Sequence, residues 1–273
     1  MENITFIIKT FERFYCVKRI VDSILKKYPD AKILIADDST KSCKAYFEKK
    51  KYMRNVEVFE LDCDSGLSAG RNYLVDRVET DYFVLLDDDF VFDKKTDIES
   101  AARMIKEKEL DILGGYIRNY TEVNGVITFF KYLVQAALRY EKADNYIGKM
   151  DFDSETKTLT INIENQHFPA FTETEILPNF FIAKTEIIRT RNRWDDDLKL
   201  QEHTAFFYSA KRNNLKIGFS NVFSIQHKPI KPRKYYSFRG RNYSNIFMEK
   251  AEIERIIMTF EDKADVIIEH DNR

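Results

Sequence analysis

Short runs of consecutive apolar residues alternate with amphipathic stretches along the first 120 residues, and the alternation predicts strands and helices in turn. Ile4 to Lys9 reads as a first strand, and Val17, Ile20, Val21, Ile24 and Leu25 recur at helical spacing until Pro29 and Asp30 end the helix. Lys32 to Ala36 is a second strand, Ser42 to Lys50 a helix, and Val56 to Leu61 a third strand. Gly66 and Gly70 bracket a turn into a helix from about Arg71 to Val78, followed by the apolar run Tyr82 to Leu86, a helix near Asp97 to Lys108 and a strand near Ile112 to Ile117. Such βαβ alternation implies an α/β fold with a mostly parallel, Rossmann-like central sheet flanked by helices.

The rhythm changes after Thr121. A helical signal around Phe129 to Tyr140 gives way to alternating segments near Tyr146 to Phe152 and Thr158 to Glu164, joined by the turn-like Asp153-Ser154-Glu155-Thr156. Helical spacing returns from Glu202 to Asn213, strands follow at Leu215 to Gly218 and Val222 to Gln226, and Ile246 to Ile268 reads as a long terminal helix. We expect one domain over residues 1–240, its halves meeting near residue 120 (1–120 and 121–240), with a helical tail over 241–273 on which an oligomer contact could form.

Composition narrows the chemistry. Lys and Arg total 44 against 45 Asp and Glu, a balance that gives no support to nucleic acid as a partner. Cys16, Cys43 and Cys63 are odd in number and lack metal-ligand spacing, which argues against a disulfide framework and a structural zinc site and fits a reducing, cytoplasmic setting. The amino terminus shows no secretory pattern, and no apolar stretch approaches the ~20 residues that span a bilayer.

Asp87-Asp88-Asp89 follows the apolar run Tyr82 to Leu86, so three carboxylates stand at the carboxyl end of a strand, where α/β sheets line their ligand crevice. Strand alternation would turn Asp87 and Asp89 to one side and Asp88 to the other. Oxygen ligands suit a hard divalent cation, although acidic triplets also serve as solvated turns or caps. Asp37 and Asp38 end the second strand and can bind a nucleoside or cap the next helix.

Five blocks carry a resemblance: Ile8-Lys9-Thr10-Phe11-Glu12-Arg13, Ile35-Ala36-Asp37-Asp38-Ser39, Ala69-Gly70-Arg71-Asn72, Leu86-Asp87-Asp88-Asp89-Phe90-Val91-Phe92 and Asn179-Phe180-Phe181-Ile182-Ala183. In this order they resemble the catalytic domain of β-1,4-N-acetylgalactosaminyltransferases (GM2/GD2 synthase) and, more broadly, GT-A fold and family 2-like bacterial glycosyltransferases, whose DxD motif holds a divalent ion against a nucleotide-sugar diphosphate. The likeness covers roughly the first 120 residues well and Leu177 to His227 less closely, whereas Thr121 to Ile176 looks unrelated.

The resemblance implies a metal-dependent inverting transfer of a hexosamine, GalNAc, from UDP to a hydroxyl of a glycan or glycolipid acceptor, in bacterial surface polysaccharide or lipooligosaccharide synthesis. It implies Mn²⁺ or Mg²⁺ held by Asp89, Asp87 and His227, with donor contacts from Thr10, Arg13, Asp37, Asp38, Arg71, Asn72, Asp87 and Asp88. Glu202-His203 falls where many inverting relatives carry Glu-Asp, so either side chain is a candidate base, with His203 in the usual Asp position. Beyond His227, the basic and aromatic segment 228–241 is a candidate lid over the diphosphate or a peripheral contact with the inner face of a membrane.

Alternatives stay open at this point. The donor could be another UDP-hexose (Gal, Glc or GlcNAc), or the chain could be a non-catalytic glycan-binding or assembly protein on the same scaffold. Asp87-x-Asp89 also fits the nucleophile motif of haloacid-dehalogenase phosphatases, but none of the eight glycines is followed by Asp, and the strand falls fourth rather than first.

Overall fold

The computed structural model describes residues 3–50, 53–119, 146–164, 170–230, 243–261 and 263–270. Strand β1 (Ile4–Thr10) is buried along its whole length. Its alternation splits the interior into two cores: Phe6 and Ile8 pack on one face of the sheet, Ile7 on the other. Burial on both faces is what a parallel strand of near-continuous apolar residues requires.

Around β1 stand β2 (Lys32–Asp37), β3 (Val56–Glu60) and β4 (Tyr82–Asp87), with β1 parallel to β2 and β4, and β2 parallel to β3. Helix α1 (Phe14–Lys27) lays Val17, Ile20, Val21 and Ile24 on the Phe6 face, beside α4 (Ile98–Glu107). Asp97 caps α4, its carboxylate accepting from the Ser100 amide at 3.0 Å. Between these lie α2 (Lys44–Glu48), shorter than its sequence signal, and α3 (Leu67–Val75).

The sheet continues through β5 (Phe90–Val91), β6 (Ile112–Asn119), β9 (Thr172–Glu173), β10 (Phe181–Lys184) and β11 (Ile217–His227). Its order is β3-β2-β1-β4-β10-β6-β11-β5, with β9 paired to β11. The two strands expected at 215–218 and 222–226 are one, β11, whose pairing with β6 shifts register between Ser220 and Ser224. Helices α5 (Thr185–Arg191) and α6 (Glu202–Arg212) complete the Ile7 face, where Phe206, Phe207 and Trp194 cluster against Phe181.

The hairpin expected around 153–156 is present, as β7 (Ile147–Asp153) paired antiparallel with β8 (Thr158–Glu164). The long terminal helix is not. Only α7 (Ser244–Lys250) is helical there, and the chain then forms β12 (Arg255–Phe260) and β13 (Val266–Glu269). β12 runs parallel to β8, giving a second sheet in the order β13-β12-β8-β7. The run Ile253, Ile256, Ile257 fits either period, and pairing with an available strand edge decides it. The expected oligomer contact on that helix therefore loses its element. The helix expected near 129–140 and the basic segment from residue 231 to 241 lie outside the described residues.

The chain winds outward from β1 to β2 and β3, then returns to place β4 on the other side of β1. That reversal opens a crevice at the carboxyl ends of β1 and β4, the usual ligand position in open α/β sheets.

Candidate functional site

At this crevice Lys9 is the register partner of Asp87, and Thr10 of Asp37. β4 ends at Asp87, and Asp88 and Asp89 form a turn before β5. Alternation holds only within a strand, so the acidic run does not divide as its spacing predicted. Asp88 is fully buried and accepts from the Thr10 hydroxyl at 2.6 Å and Arg13 Nε at 3.2 Å, with an ion pair to Arg13 Nη2 besides. Asp89 accepts from Arg13 Nη1 at 2.8 Å. The carboxylates that converge are thus Asp88 and Asp89, around one guanidinium.

Asp87 faces elsewhere. Its Oδ1 lies 3.3 Å from Arg71 Nη2, while Arg71 Nη1 forms an ion pair with Glu202. The guanidinium is 1% exposed and sits 5.6 Å from the centroid of the Trp194 ring. Arg71 and Asn72 are mid-helix rather than at a helix start, because α3 begins at Leu67. Gly66, at φ +98°, makes the turn, and a Cβ there would fall 2.7 Å from the Lys199 backbone. Asn72 has a different task from the donor contact expected of it. Its amide donates to the Trp194 carbonyl at 2.8 Å and to Asp196 at 2.7 Å, and accepts from the Trp194 amide at 3.1 Å, which holds the Trp194 to Asp196 loop.

Asp37 and Asp38 divide their duties. Asp37 accepts from the amides of Ser39 at 3.0 Å and Cys43 at 2.7 Å, bracing the approach to α2. Asp38 pairs with Lys9 and accepts from the Gly66 amide at 3.0 Å. Loss of hydration pushes the buried Lys9 ammonium below its ordinary range, against the pull of Asp38. Thr10, Arg13, Asp38, Gly66, Lys199 and Tyr243 line a cleft beside this pair. Lys9 was missed in the sequence, although a lysine inside the otherwise apolar Phe6 to Lys9 run is itself the signal of a buried ion pair.

Glu202 and His203 open α6. Glu202 is 3% exposed and tied to Arg71. The half-buried His203 places Nδ1 2.8 Å from Asn179 Oδ1 and its ring edge-on to Phe207. In the tautomer that donates from Nδ1 to Asn179, the lone pair is on Nε2. Burial, more than any other influence, pushes the imidazole down to about 4, Arg71 adding to the effect while Glu202 and a hydrogen bond to the Leu177 backbone oppose it.

His227, at the end of β11, places Nε2 3.4 Å from Asp89 Oδ2, with Nδ1 2.9 Å from Asn119 Oδ1. With Nδ1 against Asn119, Nε2 is the ring nitrogen turned to Asp89: protonated, it donates to the carboxylate, and without that proton its lone pair can ligate a metal ion. Burial alone would raise Asp89, but the His227 and Arg13 contacts outweigh it and hold the carboxyl below its usual range. One carboxylate and one imidazole fit a divalent ion that takes its remaining ligands from a diphosphate and water. Asp87 does not join them: among the described residues no three His, Cys, Asp or Glu side chains gather as a metal cluster.

The model of the family described as Glycosyl transferase family 2 matches residues 5–167. Beta-1,4 N-acetylgalactosaminyltransferase 2 of Mus musculus is 30% identical over 231 residues, 85% of this chain and 40% of its own length. Beta-1,4 N-acetylgalactosaminyltransferase 1 of Homo sapiens is 28% identical over 224 residues, 82% of this chain and 38% of its own. The chain thus spans about two fifths of the length of these relatives. Among solved structures, S. aureus TarS 1-349 in complex with UDP-GlcNAc has a TM-score of 0.62 at 16% identity, covering 91% of this chain and 65% of that one. GalNAc-T7 with UDP, GalNAc and Mn²⁺ has a TM-score of 0.57 at 14% identity, covering 82% and 43%. At such identities the likeness shows the fold, which is the GT-A arrangement expected from the sequence.

Proposed function

Because this chain belongs to glycosyl transferase family 2, we propose that it moves N-acetylgalactosamine from UDP to a hydroxyl of a glycan acceptor, with inversion at the anomeric carbon, in the assembly of a surface polysaccharide or lipooligosaccharide. One observation carries the reading. The single Arg71 guanidinium touches both Asp87 and Glu202, so the start of α6 lies within one side chain's breadth of the carboxylate that ends β4. Donor-side carboxylates and a base-bearing helix facing one crevice are what a single displacement needs.

His203 is the better base of the two. Glu202 is buried against Arg71, whereas His203 is neutral above about pH 4 and, in the tautomer that donates from Nδ1 to Asn179, offers Nε2. The Glu202 carboxylate beside it favours the imidazolium formed when the acceptor hydroxyl yields its proton. Asp89 and His227 would hold Mn²⁺ or Mg²⁺. Such an ion, when bound, neutralises charge on the departing diphosphate. Asp38 and Thr10, beside the cleft at the ends of β2 and β1, would receive the nucleoside.

The relatives named as β-1,4 N-acetylgalactosaminyltransferases support the donor sugar. A panel of UDP-sugars with Mn²⁺, scored for UDP release with and without EDTA, tests the reading. Release from UDP-GalNAc that EDTA abolishes is expected. Release from none of the panel, with any acceptor glycan, would sink it. Among the described residues no helix is long and apolar enough to cross a membrane.

A further inference from the structure

Arg13 occupies the place that the proposed cation would claim. Its guanidinium, with the side chain 13% exposed, contacts Asp88 through Nε and Nη2 and Asp89 through Nη1. Two adjacent carboxylates this deeply buried repel one another, and the Arg13 guanidinium that contacts both is the positive charge set against that repulsion. Asp89 Oδ2 is the very oxygen that accepts from Arg13 and faces His227 Nε2. One oxygen cannot serve a guanidinium and a divalent ion at full strength.

We infer that Arg13 is the resident counter-cation of this site, displaced from Asp89 when the divalent ion enters. The inference rests on the proposed assignment of Asp89 and His227 as ligands.

The surroundings say which partner moves. The main chain of Asp89 is pinned, its carbonyl accepting from the Lys228 amide at 2.9 Å and Arg19 Nη2 at 3.4 Å. Asp88 is fixed by Thr10. The loop that carries Arg13 is anchored one residue earlier, where the Glu12 amide donates to Ser39 at 2.6 Å and the Glu12 carboxylate accepts from the Thr40 amide at 2.9 Å. The Arg13 backbone therefore stays while its long side chain pivots. Asp88 retains it through Nε and Nη2, so release of Nη1 frees one edge of the guanidinium without casting the whole group into solvent. That edge then faces the crevice, where a diphosphate offers oxygens suited to it. Ion entry and donor capture are coupled through one side chain: the ion takes Asp89 from Arg13, and the donor receives the freed N–H groups.

Direct titration of the full chain with Mn²⁺ alone, followed by loss of the free-ion spin-resonance signal and without nucleotide, tests this. Arg13→Gln should bind Mn²⁺ about tenfold more tightly than the wild type, because a charge-assisted contact no longer has to be broken. Arg13→Lys, which keeps a charge but not the fork, should fall between them, and it supplies the same comparison if Arg13→Gln does not fold. Asp89→Asn should lose binding in either background. If Asp89→Asn weakens Mn²⁺ binding while both Arg13 variants bind no more tightly than the wild type, the displacement is wrong and the ligand assignment stands. If Asp89→Asn binds Mn²⁺ as the wild type does, the ligand assignment fails and the displacement with it.

Discussion

The Arg71 guanidinium and the Glu202 carboxylate form an ion pair in which 1% and 3% of the side chains are exposed, and the same guanidinium reaches Asp87. Removing one member of such a pair leaves the other as a buried, uncompensated charge. We expect Arg71→Met to cost about 3–5 kcal/mol of stability. The double variant Arg71→Met with Glu202→Gln should cost less than the two single changes added together. Urea denaturation of the four proteins measures the coupling, and strictly additive values would show that the contact is energetically idle.

His203 should behave as a base and Glu202 as its support. His203→Ala is expected to lower kcat by about 10²–10⁴-fold with UDP binding retained. If His203→Ala left kcat unchanged while Glu202→Gln abolished it, the two roles would be reversed.

The same histidine gives a pH dependence whose sign is fixed. Its folded pKa, about 4, lies below its ordinary 6.5, so the unfolded chain binds more protons between these values. Its contribution to stability is complete above pH 6.5 and is lost as the pH falls through about 4. The urea midpoint should fall from pH 7 to pH 4.5, and His203→Gln should flatten part of that slope. An unchanged slope in His203→Gln would assign the dependence to other groups.

Much of this site was legible because strand ends are legible. Apolar runs that stop at Thr10, Asp37 and Asp87 by themselves place those residues at one edge of a parallel sheet. What the pattern could not carry was pairing across the crevice. Asp87 and Asp89 look alike by spacing, yet β4 ends between them and they turn to different arginines. Likewise Asn72 follows Arg71 on a helix, but the Trp194 loop, more than a hundred residues later in the chain, takes its amide. The terminal segment failed for a third reason. Its isoleucines fit a helix as well as a strand, and the partner edge that decides between them belongs to β8, about a hundred residues earlier.

Lys9 and Asp38 form a second buried pair, with 4% and 1% of the side chains exposed. Asp38→Ala strands the Lys9 ammonium and also orphans the Gly66 amide, so a loss of about 3–5 kcal/mol is expected. Asp37→Ala removes acceptors for two amides near α2, a capping type of loss worth about 0.5–2 kcal/mol. Thermal melts of the two variants check the order, and an Asp37→Ala protein less stable than Asp38→Ala would reverse it.

The strand assignment near the carboxyl end can be tested on two isoleucines that the sequence alone treats alike. In β12, Ile256 is 3% exposed and is the register partner of Leu159 in β8, itself fully buried. In β13, Ile267 is 58% exposed and pairs only with Ile257 of β12. Ile256→Ala should therefore open a cavity between the second sheet and the core and cost about 2–5 kcal/mol. Ile267→Thr removes exposed apolar surface and keeps a β-branched side chain, so its effect should stay within about 0.5 kcal/mol. An amphipathic helix over 246–268 would pack both residues against the domain, since they lie 11 positions and so about three turns apart. Equal losses in urea denaturation would favour that helix, whereas a cost confined to Ile256→Ala supports the parallel pairing with β8.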